Sequence, residues 1–248
     1  MKNHKYILVA VFLLVFVSSA CSAVPVFSST IEGSGNIITE ERDVSGFDRV
    51  TLSGFGEVTV EQGEAESLTV STDDNIMPYV RTEVRNNTLI LDFDDKGRNR
   101  GYNPTDGIKF NLAVKDLSRI DISGAGSFDV NALETEALLA DLSGASSLEI
   151  GDLTANELVV RQSGAGTVFV SGQVKGQELT HSGVGSYHAA DLESKTAIID
   201  ISGAGSATVW ATESLDIEIS GLGSVIYYGN PRIIQNVSGL GKLVSGEK

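Results

Sequence analysis

The turn Ser-Gly-x-Gly, or a near copy of it, begins at Ser53, Ser123, Ser143, Ser163, Ser182, Ser202, Ser220 and Ser238. From Ser123 onward the steps are 20, 20, 19, 20, 18 and 18 residues. A step this regular marks one supersecondary unit that cannot bury its apolar face alone and does so by stacking on copies of itself. The stretch IDISGAGS, Ile120–Ser127, returns letter for letter at Ile199–Ser206. This period restricts the fold more than any other feature of the chain.

Aligning the copies on their serine brings out columns. One residue before it stand Ile122, Leu142, Gln162, His181, Ile201, Ile219 and Val237. Three before it stand Ile120, Ala140, Val160, Leu179, Ile199, Ile217 and Gln235. Five and seven after it come pairs such as Phe128/Val130, Leu148/Ile150 and Val168/Val170. Alternate positions are apolar and those between carry Asp, Glu, Arg or Thr, which is strand periodicity. A weaker third side follows at Leu133, Leu153, Val174 and Leu192. Helices fit poorly, because glycine recurs too often and no 3.6-residue stripe is long enough. Like residues at one fixed phase point to parallel stacking, with each rung about 4.8 Å from the last. The expected fold is all-β: a right-handed parallel β-helix of about 18–20 residues per rung.

In this frame the turn is a corner. Its glycines are expected to adopt positive φ. The residue between them (Ala125, Ala145, Ala165, Val184, Ala204, Leu222) is expected at a tight inner corner, and the serines are expected to bond local backbone or stack as a hydroxyl ladder. Ser146 replaces the second glycine in one rung.

The tandem DxSGxGS rungs, Asp121–Ser127 and Asp200–Ser206, and the segment GSGNIITEERDVSGFDRVTLSGFGEVTVEQG (33–63) resemble the bacterial auto-transporter adhesin head, or GIN, domain. The resemblance covers roughly residues 33–245. It implies an exported protein, often a lipoprotein, folded as a right-handed parallel β-helix. The family supplies no catalytic residues to carry over, and adhesion is itself an inference from its architecture.

Residues 33–115 read as the start of the solenoid and the cap of its first rung. Within them YVRTEVRNNTLILDF (79–93) predicts a hairpin turning at Asn86-Asn87, and 94–107 predicts an exposed, projecting loop. Residues 116–245 are the regular rungs, and KLVSGEK is a thin final cap, so that end is a possible surface for end-to-end homo-association. Ahead of the folded body, residues 1–21 form a secretory signal: Lys2 and Lys5, an apolar run Tyr6–Val17, small residues, then Cys21. The run is short for a membrane span. A cysteine at that place resembles a lipoprotein signal, in which the thiol receives a diacylglyceryl group, although Ser18 stands where leucine is usual. Residues 22–32 read as a tether. The expected location is the cell surface or periplasm, membrane-held through lipid on Cys21. Cys21 is the sole cysteine, so no disulfide can form within the chain.

The chain carries a net charge of −15, and loss of Lys2 and Lys5 with the signal would deepen it. Such a chain repels nucleic acid. The Gly-x-Gly turns lack the third glycine of a dinucleotide fingerprint, and GLGKL (239–243) lacks the rest of a phosphate loop, so no nucleotide or other cofactor is implied. With His4 in the signal, only His181 and His188 remain, too few for a histidine metal cluster.

The outward column two before the serine, Asp121, Asp141, Arg161, Thr180, Asp200, Glu218 and Asn236, offers weak Ca²⁺ candidates in Asp121, Asp141, Asp200 and Glu218. A solvated face, or pairing of Arg161 with Asp141, accounts for the same residues. The stacked carboxylates also fit the spacing of a retaining glycosidase, but every stacked pair in a solenoid does. Trp210 is the clearest aromatic platform, with Tyr228 near it, whereas Tyr187 and Tyr227 fall in inward columns. The chain therefore reads as a non-enzymatic, envelope-anchored adhesion or surface-binding module with a glycan or protein ligand. The alternatives are a carbohydrate-active lyase- or hydrolase-like β-helix enzyme and a structural envelope component.

Overall fold

A computed structural model describes residues 29–93 and 100–247; Cys21 and the signal lie outside the described residues. The described chain is nearly all strand. In chain order β1–β9 are Ser29–Glu32, Ile37–Arg42, Arg49–Leu52, Phe55–Gln62, Ser67–Asp73, Val80–Arg85, Thr88–Phe93, Arg100–Asn103 and Lys109–Val114. Strands β10–β19 are Arg119–Ile122, Ala125–Glu134, Ala137–Leu142, Ala145–Gln162, Ala165–His181, Val184–Ile201, Ala204–Ile219, Ser224–Tyr228, Arg232–Val237 and Lys242–Ser245. The single helical element among them is a short turn of 3₁₀ helix at Met77–Tyr79.

From β10 to β19 every pairing between rungs is parallel, and the columns fall in register as the period requires. Ile120 lies beside Ala140, Ala140 beside Val160, Val160 beside Leu179, and so on to Ile217. These inward positions are buried, as are Phe128, Leu148, Val168, Tyr187, Ala207 and Val225 on the facing arm. Each Val, Leu, Ile or Phe among them contributes about 1.5–3 kcal/mol when taken out of water. The result is a β-solenoid whose core is one continuous apolar column.

Two details of the rung differ from the sequence expectation. In the four central rungs the third side does not interrupt the strand. β13–β16 run through it for 16–18 residues each. They bend by shifting register, between Ile150 and Leu153 or Phe169 and Gly172, so the backbone keeps its ladder bonds while changing direction. In these rungs the sharp break is the Ser-Gly corner.

The corner glycines are there for a reason other than the expected one. Among them only Gly56 and Gly185 have positive φ. What excludes a side chain is the rung beneath: a Cβ on Gly124, Gly144, Gly164, Gly183, Gly203, Gly221 or Gly239 would run into the carbonyl oxygen of the preceding rung's glycine. The close approach lets Ala145 N–H donate to Gly124 O at 3.1 Å and Ala165 N–H to Gly144 O at 3.0 Å. The residue between the glycines points outward, not into an inner corner: Val184 is 63% exposed and Leu222 65%.

The N-terminal end is built out of chain order. β3 lies between β10 and β7, and β4 between β11 and β9, so 88–93 and 109–114 form the first rung although they follow the second in sequence. Antiparallel strands close this end. β6 pairs with β7 through a hairpin in which Asn86 and Asn87 both take positive φ, β5 pairs with β9, and β2 with β5. The strand edge that a stack would otherwise present is thereby covered.

A clasp fastens the chain ahead of β2. Asp73, fully buried, accepts Gly35 N–H, Thr105 N–H and the Thr105 hydroxyl, each at 2.8 Å. Beside it, Ser34 and Asn36 donate to the Asp74 carboxylate at 2.6 and 2.9 Å, and Asn75 bonds Ser34 N–H and Glu32 O. β1 pairs with β8. The tether and the projecting loop are therefore both corrected in part: 29–32 is a strand, and 100–107 is docked against it and against Asp73. Residues 94–99 lie outside the described residues.

Candidate functional site

The outward acidic column is assembled in the predicted register. Asp121 lies beside Asp141, Asp141 beside Arg161, Thr180 beside Asp200, Asp200 beside Glu218 and Glu218 beside Asn236. Repulsion between Asp121 and Asp141 is relieved by Arg119, which sequence reasoning did not single out. Its guanidinium meets Asp121 at 2.6 Å and reaches Asp141 at 3.8 Å. The Asp121 hydrogen bond raises the arginine's pKa further above its usual value. Asp200 stands three rungs and Glu218 four rungs away from Asp141, across Arg161 and Thr180, so the four carboxylates do not meet. No group of three or more His, Cys, Asp or Glu is placed to hold a metal among the described residues.

The two inward polar residues of the serine-minus-one column pair with each other. Gln162 and His181 are both buried; the amide donates to Gly166 O at 2.6 Å, and its oxygen faces His181 Nδ1 at 3.0 Å. That oxygen can only accept, so Nδ1 carries the proton. Nε2 is then an acceptor, buried against Gly205 with no hydrogen-bond partner among the described residues. Burial holds the His181 pKa below its ordinary value. His188 is instead on the outer face, where its ring stacks on Phe169 at 4.6 Å.

A concave feature lies on the third side. There the rungs leave an open groove of about 950 Å³ that runs from Lys115 and Gly63, over Glu134–Glu136, Thr154–Asn156 and Gln173–Lys175, to Glu193–Lys195. The third side is short, and the alternation there sends Leu133, Leu153 and Leu192 inward while Glu134, Thr154, Gln173 and Glu193 line up outward in register. Both ends of the groove are braced. At one, the Gln62 amide donates to Lys115 O at 3.0 Å and Glu134 O at 2.8 Å and accepts Glu134 N–H at 2.8 Å. At the other, buried Ser194 donates to Trp210 O at 2.7 Å and accepts from Gln177, whose oxygen takes the Tyr187 hydroxyl at 3.0 Å. Tyr187 thus fills the core as its column implied, and burial raises its pKa. Trp210 is half-buried and does not line the groove; it lies in register with Tyr228.

The groove was missed at the level of sequence. Its signal was the third-side alignment itself, which places Lys175 and Lys195 at one phase of the period.

Fold and site together define a capped parallel β-solenoid with a polar groove along one edge. Residues 46–231 match the family model described as "Putative auto-transporter adhesin, head GIN domain", and the chain belongs to that family. Among solved structures, a "putative adhesin" from Bacteroides fragilis superposes with a TM-score of 0.82 at 27% identity, over 87% of this chain and 100% of its own. A "putative lipid binding protein" from Parabacteroides distasonis gives 0.72 at 24% identity, over 88% and 100%. A "putative adhesin" from Parabacteroides merdae gives 0.64 at 21% identity, over 88% and 99%. The last two show likeness of fold alone. No curated protein sequence matches the chain.

Proposed function

We propose that the chain is an exported, lipid-anchored binding module that holds an extended ligand in the third-side groove and performs no chemistry on it. The observation that carries this reading is the groove itself: about 950 Å³ walled largely by exposed polar side chains that stand outside the apolar core. Family membership and the names of its structural relatives agree with a surface-binding role. A rigid rod suits such a role, because its wall side chains repeat at a fixed spacing of about 4.8 Å and lose little freedom when a ligand docks.

Filling the groove tests the reading. Asn156→Trp places a large ring on the central rung without touching the core. The wild-type chain on beads is expected to be retained on the surfaces of bacterial or host cells, and the variant to lose that retention while keeping its circular dichroism. Equal retention of both would sink the groove as the contact surface.

Anchoring rests on the signal segment and Cys21. Membrane fractions of expressing cells are expected to hold the wild-type chain, and Cys21→Ala is expected to move it to the soluble exported fraction. Unchanged fractionation would overturn the anchor.

A further inference from the structure

We infer that the groove's ligand is an anionic glycan, gripped through Lys175 and Lys195 at one end and Lys115 at the other. This rests on the groove being the binding surface. Three of the five lysines among the described residues line it, in a chain of net charge −15. Elsewhere the cations are largely neutralised at home: Arg42, Arg49, Arg81, Arg85, Lys109 and Arg119 each pair with a carboxylate. Lys115 and Lys175 have no carboxylate within 4.0 Å among the described residues, and Lys195 has only an exposed contact with Glu213 at 3.5 Å.

Lys175 and Lys195 sit on adjacent rungs, between the registered pairs Val174–Ser194 and Gly176–Thr196. Their backbones are therefore about 4.8 Å apart. Both side chains are exposed, so one anionic group lying across the two rungs can meet both ammonium groups. The same wall also carries four carboxylates, Asp116, Glu134, Glu136 and Glu193, with the polar Thr154, Asn156 and Gln173 among them. Carboxylates and amides in a row accept and donate hydrogen bonds to hydroxyl groups. A chain bearing both acid groups and many hydroxyls answers both parts of the wall.

A peptide answers them less well. Grooves that take peptides offer apolar pockets or a free strand edge. Here the apolar wall residues are Ala155 and the buried Val174, and the wall's backbone groups are already bonded from rung to rung, as in Thr135 N–H to Thr154 O and Asn156 N–H to Glu136 O.

The test uses the full chain in detergent with two polysaccharides as probes, polygalacturonate and neutral dextran, followed by affinity electrophoresis and biolayer interferometry. Polygalacturonate is expected to retard the wild-type chain and dextran is not. Raising the salt from 50 to 300 mM is expected to weaken binding severalfold, as screening demands. The double substitution Lys175→Ala/Lys195→Ala is expected to weaken it about tenfold or more, the combined effect of two partly exposed charge contacts. Lys242→Ala, outside the groove, is expected to leave it unchanged. No binding to polygalacturonate, equal binding to dextran, or an equal loss in Lys242→Ala overturns the inference. Failure here with Asn156→Trp still abolishing cell retention would reject the glycan and keep the groove, directing attention to a protein ligand. Failure of Asn156→Trp would reject the groove itself.

Discussion

At the scale of single residues, the corner glycine shows how stacking changes the meaning of a familiar signal. Gly-x-Gly suggests positive φ, yet most of these glycines have ordinary φ and are needed because a carbonyl of the rung below occupies the space of a side chain. Gly144→Ala is therefore expected to force two rungs apart and to cost about 3 kcal/mol, the upper part of the range for overpacking a tight site. Gly63→Ala, where a Cβ meets nothing within 4 Å, is expected to be near neutral. Urea midpoints of the two variants decide the matter; equal midpoints would refute the stacking account. His181 gives a second residue-level prediction. Its folded pKa is lowered, so below the unfolded value of about 6.5 the unfolded chain takes up a proton that the folded chain resists. Stability from this group is complete above that pH and is lost as pH falls toward the folded pKa. Unfolding free energy should thus drop between pH 7 and 5, and His181→Gln, which cannot titrate, should flatten that slope.

At the scale of elements, what could be read in advance followed from distance along the chain. The strands, their inward columns and the Asn86-Asn87 hairpin were legible because each is set by residues a few positions apart. The order of rungs at the N-terminal end was not, because β7 and β9 slip beneath β3 and β4 after them in sequence. The clasp was equally hidden: Ser34 and Asn36 find their carboxylate some 40 residues away, and GSGN alone looks like an ordinary turn. Its chemistry makes a prediction. Burial works against the Asp73 charge, but the donors from Thr105 and Gly35 outweigh it and hold the pKa below the usual carboxylate value. Asp74 is held low by Ser34 and Asn36. Groups with depressed folded pKa values stabilise above their unfolded value of about 3.9 and lose that contribution only as pH falls through the lower folded pKa. The clasp should accordingly stay closed at pH 5 and open in stronger acid. Asp73→Ala should open it at neutral pH, seen as new proteolytic cuts within 29–36 and 103–107 while β10–β16 stay protected. Cuts spread evenly along the chain would show instead that Asp73 supports the whole stack.

At the scale of the whole molecule, the period that announced the fold also fixes how its stability is distributed. Each rung touches only its neighbours, so the solenoid's stability is close to a sum over rungs and their interfaces. The corners at Ser143 and Ser163 are 20 residues apart, and Gly144 and Ala165 occupy consecutive places of equivalent corners. Deleting residues 145–164 would therefore join one corner to the next and return every inward column to register. The shortened chain should fold cooperatively, with a urea m-value lower by roughly a tenth, since m follows the surface exposed on unfolding. Deleting residues 145–154 instead removes half a rung, turns a facing arm where a near arm should be, and exposes the apolar sides of all later strands at the joint. That chain should be insoluble or loose, binding a hydrophobic dye. The same pair also separates fold from function: the whole-rung deletion takes out Thr154 and Asn156 but brings Gln173, Lys175, Glu193 and Lys195 one rung closer to Lys115. A ligand that spans the groove end to end should then bind less tightly although the rod is intact, whereas one seated on Lys175 and Lys195 alone should not notice the change.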